Sequence, residues 1–140
     1  MSQCDRKQPA SQNYTMNILV VDDEVDVRAL FEQRFRKEIR DKEMIFAFAH
    51  SGQEALNYLS DKSRESILVL SDINMPGMSG LDLLKRIKDE FAKPPPVVMM
   101  ITAFGDDENY SKAMNLGADD FLTKPLNFSH LREKLSMLKN

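Results

Sequence analysis

Residues 67–80 read I-L-V-L-S-D-I-N-M-P-G-M-S-G, and this stretch decides the fold. Ile67-Leu68-Val69-Leu70 is apolar without alternation, the pattern of a strand covered on both faces, as in a parallel sheet flanked by helices. Asp72 stands at its end, followed by residues with turn chemistry. Ser79 then caps a helix whose Leu81, Leu84, Ile87 and Phe91 keep a spacing of three or four before Pro94-Pro95-Pro96 stops it. Strand, loop and helix make one unit.

The same unit recurs on either side. Apolar runs stand at Ile18–Val21, Met44–Ala49 and Val97–Ile101, with a short one at Phe121-Leu122. Val27, Leu30, Phe31, Phe35 and Ile39 predict one helix from about Asp26 to Arg40. Ser51-Gly52-Gln53-Glu54 is a capping box opening a helix with Ala55, Leu56 and Leu59 inside. A fourth helix is predicted from Asp107 to Leu116, with Gly117 at its C-terminal cap. Asn127 opens the last, with Leu131, Leu135 and Leu138 on one side.

Five strand–helix repeats joined by right-handed crossovers favour an open α/β sheet. The expected architecture is a flavodoxin-like, doubly wound (βα)5 parallel sheet of strand order 2-1-3-4-5, in a single domain over residues 16–140. The chain is too short for an eight-stranded barrel. Residues 1–15 are polar and aperiodic and read as a disordered leader, with Met16 a candidate start.

Composition narrows the function. The chain has 140 residues, 42% hydrophobic and 29% charged, with a net charge of −3 and no Lys/Arg run. Binding to nucleic acid by charge is not expected. A single cysteine, Cys4, excludes an internal disulfide and a cysteine-based zinc site. The apolar runs are far short of a membrane span and no secretion signal precedes them, so a cytoplasmic location is expected. The scattered methionines read as core filler, and His50 and His130 as surface residues.

In open α/β sheets, ligands bind at the carboxyl ends of the strands. Strand one ends in Asp22-Asp23-Glu24, strand three in Ser71-Asp72-Ile73-Asn74, strand four in Thr102-Ala103 and strand five in Thr123-Lys124-Pro125. The second ends in His50-Ser51, which reads as structural. Carboxylates with an Asn carbonyl nearby form a set of hard oxygen ligands suited to Mg²⁺. Lys124 adds a compact positive charge and Thr102 a hydroxyl donor, both apt for phosphoryl oxygens. Aspartate is itself a covalent phosphoryl acceptor in some enzymes. Three carboxylates and one ammonium leave the mouth two charges negative, so a phosphoryl donor would need a divalent cation there.

Each residue also has a plainer reading. Asp22-Asp23-Glu24 could cap a helix, Asp72 could form a turn, Thr102 could end a strand and Lys124 could be solvated. Phe121 could simply pack in the core. Their coincidence at one mouth argues against the plainer readings taken together, Phe121 excepted.

V-V-D-D-E at 20–24, S-D-I-N-M-P-G-M-S-G at 71–80, I-T-A at 101–103 and D-D-F-L-T-K-P at 119–125 resemble the receiver domain of two-component response regulators. The separations of 49, 30 and 22 residues between Asp23, Asp72, Thr102 and Lys124 suit that family. The resemblance implies that Asp72 accepts a phosphoryl group from a sensor histidine kinase or a histidine phosphotransfer protein. Asp23, Asp72 and the Asn74 main-chain carbonyl would ligate Mg²⁺, with Asp22 acting through water. Thr102 and Lys124 would grip phosphoryl oxygens, Phe121 matches an aromatic switch position, and the Lys124–Pro125 bond is often cis in relatives. The surface of the fourth helix, fifth strand and fifth helix would then meet an effector, an output domain or, on phosphorylation, a second copy. The only catalysis implied is the chain's own phosphorylation and dephosphorylation. Ser71 and Phe104 depart from the usual pattern, close to the path of an attacking water.

Three rivals from other classes fit less well. A haloacid-dehalogenase-type phosphatase wants D-x-D after strand one, and its second aspartate is missing here. A flavodoxin-type flavin carrier would need a neutral phosphate loop where Asp22-Asp23-Glu24 stands. A non-phosphorylated scaffold would not need the full residue set. Both a stand-alone receiver and one cut from a longer regulator are compatible with the sequence.

Overall fold

The computed structural model describes residues 15–61, 67–91, 96–103 and 105–139. The expectations for residues 1–14, Pro94-Pro95 and Phe104 lie outside the described residues. The elements run β1 (Met16–Val21), α1 (Val27–Arg34), α2 (Arg36–Arg40), β2 (Met44–Ala49), α3 (Gly52–Asp61), β3 (Ile67–Asp72), α4 (Gly80–Glu90), β4 (Val97–Ala103), α5 (Asp107–Asn115), β5 (Asp120–Lys124) and α6 (Phe128–Lys139). The strands form one parallel sheet in the order β2-β1-β3-β4-β5, the flavodoxin-like order expected from the repeats.

The uninterrupted apolar runs are explained by two cores. Leu19 and Val21, Ile67 and Val69, and Val98 and Met100 face one core, shared with Leu56, Leu59, Leu83, Leu84 and Ile87 of α3 and α4. The alternate residues Ile18 and Val20, Leu68 and Leu70, and Met99 and Ile101 face the other, shared with Phe31, Phe35, Leu131 and Leu135. Period-two alternation thus persists, but both faces are dry.

The predicted caps form. The Ser79 hydroxyl accepts from Asp82 N–H and the Asp82 carboxylate from Ser79 N–H. Ser51 accepts from Glu54 N–H, but Glu54 reaches back to His50 N–H rather than to Ser51. Asn127 accepts from His130 N–H, and Gly117 takes the positive φ of +100° that ends α5. Thr15, assigned above to the leader, donates its hydroxyl to the Lys42 carbonyl at 2.8 Å.

One prediction fails. The helix expected over 26–40 breaks at Phe35, where φ is −111° and ψ 26°. Phe35 is fully buried and its ring meets Phe31, Phe46 and Phe128 at 5.2–6.0 Å. Arg132 of α6 takes the Arg34 carbonyl at the break. Contacts from β2 and α6 set the backbone there, and local periodicity carries no trace of them.

Candidate functional site

Four strand ends bring the expected residues together. Register places Val21 beside Ser71, and Asp72 beside Ile101. Asp22 and Asp23 therefore emerge next to Asp72, with Thr102 one residue further along β4. Oxygens of Asp22, Asp23 and Asp72 lie within 4.8 Å of one another. Lys124 arrives from β5, and its Nζ donates to Asp72 Oδ2 at 2.9 Å. The Lys124–Pro125 peptide is cis.

Burial differs sharply among them. Asp72 is 3% exposed, Asp22 is half-buried and Asp23 is exposed. Asp72 Oδ1 accepts from Asn74 N–H at 3.3 Å, and Asp22 Oδ1 from Glu24 N–H at 3.0 Å. Burial, then the neighbouring Asp72 and Asp23 charges, hold the Asp22 carboxyl above its usual range, with the Glu24 N–H and Lys124 opposing. For Lys124, burial works against the charge. The hydrogen bond and charge of Asp72, with Asp22 and Glu24, outweigh it and raise its pKa. Lys124 therefore stays cationic at neutral pH.

Thr102 is 1% exposed, and its hydroxyl has no hydrogen-bond partner among the described residues. A buried, unpartnered hydroxyl is costly. At this mouth it is a donor available to an incoming oxygen. Phe121 pairs with Met100, and Thr102 with Thr123, so Phe121 and Thr102 lie on the same face of neighbouring strands. The Phe121 ring meets Tyr110 of α5 edge-on, with centroids 4.4 Å apart and planes at 89°.

The donor set fits a hard divalent cation. Three carboxylates converge, one ammonium offsets only part of their charge, and no soft ligand is among them.

Three features of the site leave no mark in the sequence. Gly80 lies in the quoted stretch but was given no role. A Cβ there would fall on the Asp72 carbonyl oxygen and 2.7 Å from Ile73 Cα, so only glycine lets α4 start this close to the acceptor. Ser71, expected near an attacking water, is fully buried and donates its hydroxyl to the Asp72 carbonyl at 3.0 Å. His50, read as a surface residue, is half-buried with Nδ1 3.1 Å from the Asp22 carbonyl oxygen. A single histidine after a strand has no sequence pattern to reveal it. His130 is exposed as expected.

A five-stranded 2-1-3-4-5 sheet with three carboxylates and a lysine at its mouth defines a narrow class of α/β proteins. The response regulator receiver domain family matches residues 18–136. Response regulator RppA of Synechocystis sp. is 32% identical over 124 residues, covering 89% of this chain and 50% of RppA. A response regulator receiver domain protein of Clostridium thermocellum superposes with a TM-score of 0.76 at 29% identity, covering 89% of this chain and 94% of its own. The receiver domain of Saccharomyces cerevisiae Ssk1, solved with the histidine phosphotransfer protein Ypd1, gives 0.73 at 28% identity, with 87% of each chain covered. The chain belongs to the receiver-domain family of two-component response regulators. It spans half the length or less of the curated relatives it matches.

Proposed function

We propose that this chain is a phosphorylation-switched signalling module in which Asp72 accepts a phosphoryl group from a phosphohistidine. The observation that carries the reading is the buried Asp72 carboxylate, gripped by Lys124 and set within 4.8 Å of two further carboxylates. In the transfer, an Asp72 oxygen bonds to phosphorus as the phosphorus–nitrogen bond of the donor breaks. The electron pair of that bond returns to the imidazole, which takes a proton from water. Lys124 and the Thr102 hydroxyl then hold oxygens of the transferred group.

Asp23, Asp72 and the Asn74 carbonyl would hold Mg²⁺ directly, with Asp22 acting through water. The ion supplies positive charge that offsets the carboxylates and the phosphoryl oxygens. The donor is a sensor histidine kinase or a histidine phosphotransfer protein, a reading supported by the Ssk1–Ypd1 complex of a related receiver. The chain acts on no substrate beyond its own phosphorylation and dephosphorylation, and it works in the cytoplasm. Among the described residues no helix is long and apolar enough to cross a membrane. The output face comprises α5, β5 and α6 and meets a downstream effector, an output domain or a second copy.

Intact mass after incubation with acetyl phosphate and Mg²⁺ tests this. The wild type should gain one phosphate, and Asp72→Asn should gain none. Equal labelling of the variant, or of the wild type in excess EDTA, contradicts the reading.

A further inference from the structure

The turn that carries Asp22 and Asp23 is anchored from a direction the phosphorylation chemistry does not use. The β1–β2 ladder ends where Asp22 N–H donates to the Ala49 carbonyl at 3.0 Å. The Asp22 carbonyl comes next, and it has no backbone donor among the described residues. A half-buried carbonyl without a partner is unfavourable. His50, the first residue past β2, fills that role, with its ring Nδ1 3.1 Å from the carbonyl oxygen. A carbonyl only accepts, so in this contact Nδ1 carries the proton.

The imidazole is itself fixed from behind. His50 N–H donates to Glu54 Oε1 at 2.9 Å, and Glu54 N–H donates to Ser51 Oγ at 3.1 Å. The first turn of α3 thus sets the His50 backbone, and the His50 ring sets the Asp22 carbonyl. Beyond Asp22, its Oδ1 takes the Glu24 N–H at 3.0 Å. Asp22 is pinned at both its carbonyl and its carboxylate. Asp23 follows directly, exposed to solvent and with no element of its own to hold it.

We infer that His50 is a positioning residue for the acidic mouth. By donating Nδ1–H to the Asp22 carbonyl, it holds the Asp22-Asp23 turn where both carboxylates face Asp72. The inference rests on the reading of that mouth as a Mg²⁺ site. His50 touches neither the ion nor the phosphoryl group, and its effect passes through the main chain of Asp22.

Magnesium affinity, followed through backbone amide shifts in a MgCl₂ titration, tests the role without any phosphodonor. Losing an outer partner of a metal site costs roughly 10- to 100-fold in affinity. His50→Ala, acting one step further out, should sit at the low end, roughly tenfold weaker. His50→Asn can place an amide N–H near the Nδ1 position and should restore affinity close to wild type. His50→Gln carries its amide one carbon further out, so it should behave like His50→Ala and serves if that variant folds poorly. The metal-free melting temperature separates the alternatives, since a purely structural role would lower it without changing the affinity of the folded protein. Equal Mg²⁺ affinity in wild type, His50→Gln and His50→Ala overturns the inference, as does an Asn variant as weak as Gln. A wild type that binds no Mg²⁺ overturns the underlying reading of the site as well.

Discussion

The carboxylate of a residue only 3% exposed needs a partner to offset the water it has lost. Asp72 has its partner in Lys124, 2.9 Å away. Asp22 and Asp23 differ from it and from each other. Asp22 has one oxygen committed to the Glu24 N–H, whereas Asp23 stands exposed. Asp23 is therefore the freer ligand, and Asp23→Asn should weaken Mg²⁺ binding more than Asp22→Asn. Both losses can fall in the range of roughly 10- to 100-fold, so the expected result is one of rank. Calorimetric titration of the two variants checks it, and unchanged affinity in Asp23→Asn would remove that residue from the site.

The break between α1 and α2 is also an electrostatic joint. Arg132 of α6 donates Nε to Glu38 Oε2 at 2.8 Å and Nη2 to the Arg34 carbonyl at 2.6 Å. Its guanidinium also lies 4.8 Å from the Phe35 ring centroid. Burial alone would raise the Glu38 carboxyl. The Arg132 hydrogen bond, the Glu38 backbone N–H and the Arg132 and Lys37 charges outweigh it, so the carboxyl lies below its usual range. A carboxyl lowered by folding contributes stability above its unfolded pKa, and that contribution is lost as the pH falls through the folded value. Glu38→Gln should thus be less stable than wild type near neutral pH, with the gap narrowing in acid. Urea denaturation at several pH values measures this, and a gap independent of pH would contradict it. The joint also marks where sequence reading ran out. The period from Val27 to Ile39 runs on without interruption, while the break depends on Phe46, Phe128 and Arg132, distant along the chain. The strands and the chemistry of their ends were legible because four of the five runs stop within two residues of a site residue, namely Asp22 and Asp23, Asp72, Thr102 and Lys124. Gly80 and His50 were not, since a close approach and a single ring-to-carbonyl bond leave no periodic trace.

At the scale of the whole molecule, the α5–β5–α6 surface wraps the β5 edge of the sheet, with Ala113 of α5 packed on one face and Leu131 and Leu135 of α6 on the other. Thr102 and Phe121 share a face of neighbouring strands, and Phe121 abuts Tyr110 on α5. A phosphoryl group that draws the Thr102 hydroxyl toward Asp72 would open space next to Phe121. Phenylalanine can fill it without burying an unpaired hydroxyl. Beryllofluoride, which mimics the bound phosphoryl group, should therefore shift the amide signals of residues 107–138 in wild type. Thr102→Ala should bind it but shift that region much less. Equal shifts in both would break the link between Thr102 and Phe121 and leave the output face to another route.

All of this turns on a phosphoryl group residing on one particular side chain. Sodium borohydride reduces an aspartyl phosphate to homoserine, so treating the acetyl-phosphate-labelled protein and mapping its peptides marks the acceptor permanently. Homoserine should appear at position 72 and at no other aspartate, and its yield should collapse when EDTA is present during labelling. Homoserine at Asp22 or Asp23 in place of Asp72, or none in a protein whose mass has risen by one phosphate, would contradict the account.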